Sequence, residues 1–174
     1  LASVLVFILN PYMVSRLDFF EPCQNGGYQL CWSLMAIGSG SVFGKGLGAS
    51  TSKLLFLPAA HNDFIFAVLA EELGILGIIF IVLIFYLFFR KCFYIGDKAL
   101  RVGLTFQGYL CYAIGIFITM QAFLHILVNL GLVPTKGLAL PFFSSGGSNY
   151  LASMLSITII FRIYRDVYKK SLNS

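Results

Sequence analysis

Three of the chain's seven acidic residues, Asp63, Glu71 and Glu72, stand close together at the head of one apolar run. A carboxylate so placed can take a proton as a general base, hold a cation or cap a helix. His61 stands two positions before Asp63, but no Ser-His-Asp pattern recruits it as a nucleophile's partner. A second set, Gln121, His125 and Asn129, recurs every four residues and so lines one helix face. A third is "SSGGSN", Ser144–Asn149, where glycines and free N–H groups ahead of a helix suit a phosphate. Lys136 in the same loop and Lys53 upstream are cations for the same kind of ligand. Each set also has a plainer role. Asp63 can cap a helix, the Gln121 face can hydrogen-bond between helices, the glycines can make a turn, and the lysines can be solvated.

The elements that must position these residues are membrane elements. Of 174 residues, 59% are hydrophobic and 11% charged, and mean hydropathy is +0.88. So small a soluble domain cannot hide that much apolar surface. The fold class expected is an all-α integral membrane protein. Three stretches can cross: 64–89, 104–130 and 148–164. The net charge of +5 does not mark a nucleic-acid partner, because the twelve basic residues form no binding face. Eight of them fall in two blocks, Arg90, Lys91, Lys98, Arg101 and Arg162, Arg165, Lys169, Lys170. The positive-inside rule puts both blocks in the cytoplasm, and hence residues 1–63 and the loop 131–147 outside. Glu71 and Glu72 then sit near the outer interface, because residues 73–89 alone supply about 26 Å of helix. "GYQLCWSLMAIGSGSVFGKGLGASTSKLLFLP" is too interrupted to cross and is expected on the outer surface as short helices and loops, with Trp32 at the interface. Within it "GSVFGKG" fails as a P-loop, since Ser39 holds the first glycine position and Gly46 the Ser/Thr position. "LASVLVFIL" is too short to span, and the chain reads as the C-terminal part of a longer protein. The cysteines, Cys23, Cys31, Cys92 and Cys111, form no C-x-x-C zinc pattern, and Cys23 and Cys31 can pair if exported.

Three segments, in order and spacing, resemble the SEDS membrane proteins, the FtsW/RodA/SpoVE group: "YQLCWSLMAIGSGSVFGKGLG", "LPAAHNDFIFAVLAEELGILG" and "LVNLGLVPTKGLALPFFSSGGSN". The "PTKGLALPF" wording is similar to the division branch more than to the elongation branch. The resemblance covers nearly the whole chain. It implies a peptidoglycan glycosyltransferase that polymerises lipid II at the outer face of the bacterial cytoplasmic membrane. It also implies a partner transpeptidase of the class B penicillin-binding type, other division proteins, and a divalent cation, Mg or Mn, with unassigned ligands. It makes Asp63 the essential acid of the "H-x-D-F-I-F" motif. Departures are Ala59 for a usual Glu, His125 for a usual Asn, Ser145 for a usual Tyr and Asn149 for a usual Ser.

On this reading Asp63 is the general base, and His61, Lys53, Lys136, Ser144, Gly146 and Gly147 contact substrate. Glu71, Glu72, Gln121, His125 and Asn129 are structural polar residues. Two rivals stay open. A lipid II flippase needs a polar path that the inner halves of these spans do not show. A noncatalytic scaffold of the division machinery needs none of the chemistry.

Overall fold

The computed structural model describes residues 28–50, 63–133 and 137–172. Among these are four helices and no strand: α1 (Tyr28–Ser39), α2 (Ile65–Arg101), α3 (Thr105–Asn129) and α4 (Gly147–Leu172). The all-α class is therefore observed. Lys53, His61, Lys136 and Cys23 lie outside the described residues. Cys31 is disulfide-bonded, whereas Cys92 and Cys111 are buried free thiols.

Two helices, α2 and α3, are long and apolar enough to cross a membrane. At 37 residues α2 runs well past the apolar stretch that ends at Phe89. Its extension carries Lys98 and Arg101 in the last turn, where cations favour the helix C-terminus. It closes in a Schellman motif, with Gly103 N–H on the Leu100 carbonyl (3.0 Å) and Leu104 N–H on Ala99 (2.9 Å). In α4 the second half is polar, and Arg162 pairs with Asp166 one turn on (3.2 Å).

Near its start α2 is broken. Gly74 has φ +69° and ψ −164°, outside helical space. The i→i−4 ladder is replaced there by the glycine-rich loop after α1. Lys45 N–H donates to the Glu71 carbonyl (3.0 Å) and Gly46 N–H to Glu72 (3.1 Å). In return Ile75 N–H donates to the Ser41 carbonyl (3.1 Å) and Leu76 N–H to Val42 (3.4 Å). The loop thus supplies the partners that the break removes, which matters most where water is scarce. Such an approach of backbone to backbone leaves no room for side chains. A Cβ at Gly44 would fall on the Glu72 carbonyl, and one at Gly40 on that of Ala70.

The chain divides into two compact units. The first takes residues up to Ile78 with Leu124–Leu138, and the second Ile79–Phe123 with residues from Ala139 onward. In the first, Trp32 of α1 packs on Phe64 and Val68. In the second, Cys92, Ala99, Cys111, Ile160, Ile163 and Val167 form a core shared by α2, α3 and α4. Gly115 lets Cys92 sit against α3, and the Cys111 thiol donates to the Cys92 carbonyl (3.3 Å). The opposite faces are apolar but open: Phe80, Phe117, Leu155 and Phe161 are 62%, 69%, 64% and 69% exposed. Side chains of this kind at this exposure do not match water.

Candidate functional site

Asp63 lies just before α2 and is partly buried. The first intrahelical carbonyl of α2 is that of Phe64, which accepts from Ala67 (3.0 Å) and Val68 (3.3 Å). No hydrogen bond ties the Asp63 carboxylate to a described residue, so the side chain is not consumed as a cap. Its backbone, by contrast, is held. Asn129 Nδ2 donates to the Asp63 carbonyl (3.2 Å) and to the His125 carbonyl (2.9 Å), and lies 3.3 Å from His125 Nδ1. Ser33 of α1 donates to the Asn129 carbonyl (3.0 Å) and approaches Oδ1 (3.5 Å). Ser33, His125 and Asn129 are all 0% exposed. Buried amides held this way fix geometry, since leaving one unpaired costs about 1–3 kcal/mol.

The other side of the carboxylate is bounded by Gly137. Beyond Asn129 the chain turns at Gly131, whose N–H bonds Val128 while Leu132 N–H bonds Leu127. Gly137, with φ +61°, then presents bare backbone to Asp63. A Cβ there would lie 3.6 Å from Oδ2 and 3.8 Å from Oδ1. A half-buried carboxylate with a fixed main chain and no hydrogen bond of its own to a described residue can accept a proton from a bound hydroxyl.

Two turns into α2, Glu71 is 0% exposed. Lys45 Nζ meets its Oε1 at 2.7 Å, and Ser50 Oγ donates to Oε2 at 2.6 Å. Ser39 Oγ stands 3.4 Å from Oε1. Glu71 is buried while Lys45 stays partly in solvent, and together with Ser39 and Ser50 the pair ties the loop to α2 beside the break at Gly74. Glu72 is 8% exposed, and its buried Oε1 has no partner among the described residues.

The Ser144–Asn149 segment belongs to the second unit. Ser144 is buried, and its N–H bonds the Leu140 carbonyl (3.1 Å). Gln121 Nε2 donates to the Ala139 carbonyl (3.0 Å) and to Asn149 Oδ1 (3.1 Å), tying α3 to the start of α4. A Cβ at Gly146 would lie 3.8 Å from Asn149 Cβ, one at Gly147 would meet nothing within 4 Å, and α4 begins at Gly147. Gln121 therefore works within this second unit, whereas His125 and Asn129 work beside Asp63 in the first.

A family model described as "cell cycle protein", FtsW/RodA/SpoVE, matches residues 1–169. The chain belongs to this family. It is 48% identical to the probable peptidoglycan glycosyltransferase FtsW of Thioalkalivibrio sulfidiphilus over 169 residues, which are 95% of this chain and 42% of that protein. The proteins of the same name in Neisseria gonorrhoeae and Coxiella burnetii are 46% and 45% identical over 92% of this chain. The chain spans about two-fifths of the length of these relatives, 42%, 36% and 44% respectively. Family membership and two membrane-crossing helices make it a membrane protein.

In this FtsW/RodA/SpoVE member, Lys45, Ser50, Ser33 and Gly137 were absent from the residues singled out in the sequence. Lys45 had a signal, a lone cation in an apolar glycine-rich segment whose counterpart is an acid inside an apolar helix. Ser33, Ser50 and Gly137 had none, because their partners are 21 to 96 positions away in the chain, the farthest being Asn129 from Ser33.

Proposed function

We propose that the complete protein is a peptidoglycan glycosyltransferase that polymerises lipid II at the outer face of the cytoplasmic membrane, with Asp63 as general base. The observation that carries this is the Asp63 carboxylate, positioned through its backbone by Asn129 yet uncommitted in its side chain among the described residues. The name of the relatives, probable peptidoglycan glycosyltransferase, supports the reaction class. In the step, the acceptor sugar's 4-hydroxyl oxygen forms a bond to the donor's anomeric carbon. The bond from that carbon to the lipid pyrophosphate breaks, and the hydroxyl proton passes to Asp63. Pyrophosphate leaves well without protonation, so charge stabilisation replaces the second acid of most glycosidases. Lys53 and Lys136 are the groups proposed for that stabilisation, with His61 beside the sugar.

Among the described residues no three His, Cys, Asp or Glu side chains converge. Asp63 offers one carboxylate, which suits a magnesium-type ion when substrate phosphates complete the shell, as is usual for that ion. Such an ion would neutralise leaving-group charge. The class B transpeptidase and the other division proteins belong to the same proposal.

Orientation is tested first. Single cysteines in place of Lys98 or Lys169 should resist a membrane-impermeant thiol reagent in intact cells, and one in place of Lys136 should react. Labelling at position 98 from outside would reverse the protein and remove the outer-face site. The activity itself is tested by polymerisation of purified lipid II by the complete protein with its partner. There Lys136→Ala should raise the lipid II concentration for half-maximal rate by about tenfold, the scale of one hydrogen bond to a charged group. Its melting temperature should stay put, since a lone cation in a loop adds little stability. Unchanged kinetics would reduce Lys136 to a surface residue. Lipid II translocation by reconstituted protein, without strand synthesis, would favour the flippase instead.

A further inference from the structure

The second unit contains a groove that the glycosyl transfer does not use. It encloses ≈ 590 Å³ between α2 and α4. Its walls change character along both helices. Phe88 and Ile157 lie at one end, followed by Ile160 and Phe161, and then by Lys91, Lys98 and Tyr164 nearer the helix ends. Both helices run in the same sense through the groove, since rising residue number leads towards their basic ends in each. The polarity gradient therefore lies along the direction in which the chain crosses the membrane.

At the polar end the groove adjoins a second, smaller cavity of ≈ 250 Å³, with Lys98 and Tyr164 shared between them. This one adds Arg101, Tyr168 and Ser171. Lys98 lies over the Tyr94 ring, 4.6 Å from its centroid, which steers the ammonium along the groove wall. Lys98 and Arg101, one turn apart on α2, carry no carboxylate partner among the described residues. The ion pair recorded nearby is Arg162 with Asp166. An apolar trough that opens into a cationic, hydroxyl-bearing end matches one ligand class in both halves.

We propose that this groove binds an anionic phospholipid of the leaflet facing the basic ends of α2 and α4. An acyl chain lies against Phe88, Ile157 and Phe161, and the phosphate meets Lys98 and Arg101, with Tyr164 and Tyr168 as hydroxyl donors. Charge complementarity selects the ligand. A zwitterionic lipid fills the trough equally well but gains less from two unpaired cations. The inference is independent of the transferase reading, since it uses neither Asp63 nor the outer loops.

The test is native mass spectrometry of the complete protein in mild detergent, offered equal amounts of phosphatidylglycerol and phosphatidylcholine with the same acyl chains. Phosphatidylglycerol should be retained preferentially. Lys98→Gln and Arg101→Gln should each lower the preference for phosphatidylglycerol over phosphatidylcholine about fivefold, the scale of one charge at a membrane surface. Lys98→Arg should keep it. Ile157→Trp, which fills the trough, should lower retention of both lipids. Equal retention of the two lipids overturns the proposal, as does retention that survives both neutralised positions. So does a crosslink from a cysteine placed at Phe161 to another segment of the same complete chain, because the groove would then be covered by protein.

Discussion

Asp63→Asn in the complete protein is expected to abolish glycan polymerisation while leaving expression and partner binding near wild type. The two side chains are nearly the same size. The Asp63 carboxylate has no hydrogen bond to a described residue to lose, and the first carbonyl of α2 comes from Phe64. The Asn129 bond goes to the backbone of residue 63 and survives the change. What disappears is the capacity to accept a proton. A positioned base contributes about 10²–10⁴-fold, and loss of a negative charge would also weaken any cation held there. The measurement is lipid II polymerisation by purified protein with its partner, the transpeptidase being blocked so that only strands are scored. Strand synthesis at close to the wild-type rate would show that Asp63 is not the base.

The second large effect is structural. Gly44→Ala should sharply reduce the yield and melting temperature of the complete protein, whereas Gly48→Ala should have a much smaller effect. Both glycines have positive φ, +77° and +82°. Alanine at either bears a conformational cost of about 1–2 kcal/mol. Only at Gly44 does the added Cβ fall on backbone, the Glu72 carbonyl, while nothing lies within 4 Å at Gly48. Backbone cannot swing aside as a side chain can, so the loop must lift from α2. That lift strains the Lys45–Glu71 pair and unmakes the exchanged bonds at Ile75 and Leu76. Thermal melting in detergent compares the two variants, and equal losses would mean that close approach matters no more than φ.

The sequence made the helical class legible because hydropathy and charge blocks are properties of single segments. Apolar runs announce α2 and α3, and lysines and arginines announce where those runs end. The place of Asp63 just before an apolar helix was legible for a similar reason. The break at Gly74 was not. Glycines at 40, 44 and 46 read as turn makers, but all three serve contacts about 30 positions away: a Cβ at Gly40 meets Ala70, one at Gly44 meets Glu72, and Gly46 bonds Glu72. A pairing between a loop and a helix interior leaves no period in either. Glu71 shows the same limit. Its position inside an apolar helix marked it as unusual, yet only the fold shows that Lys45 and Ser50 answer it.

The exchange of bonds at Gly74 also decides how α2 can come apart. In an unbroken membrane helix, interior amides open only when the helix itself unwinds. Here the amides of Ile75 and Leu76 are sealed by Ser41 and Val42, and those of Lys45 and Gly46 by α2. The four groups therefore share one opening event, the departure of the loop. A region that hydropathy ranks among the most sheltered of the chain is only as persistent as a glycine loop's grip on it. Local unfolding of this kind forms its own cooperative unit, separable from the rest of the bundle. The segment that leads from Asp63 into the membrane can thus loosen while the remainder of α2 stays wound.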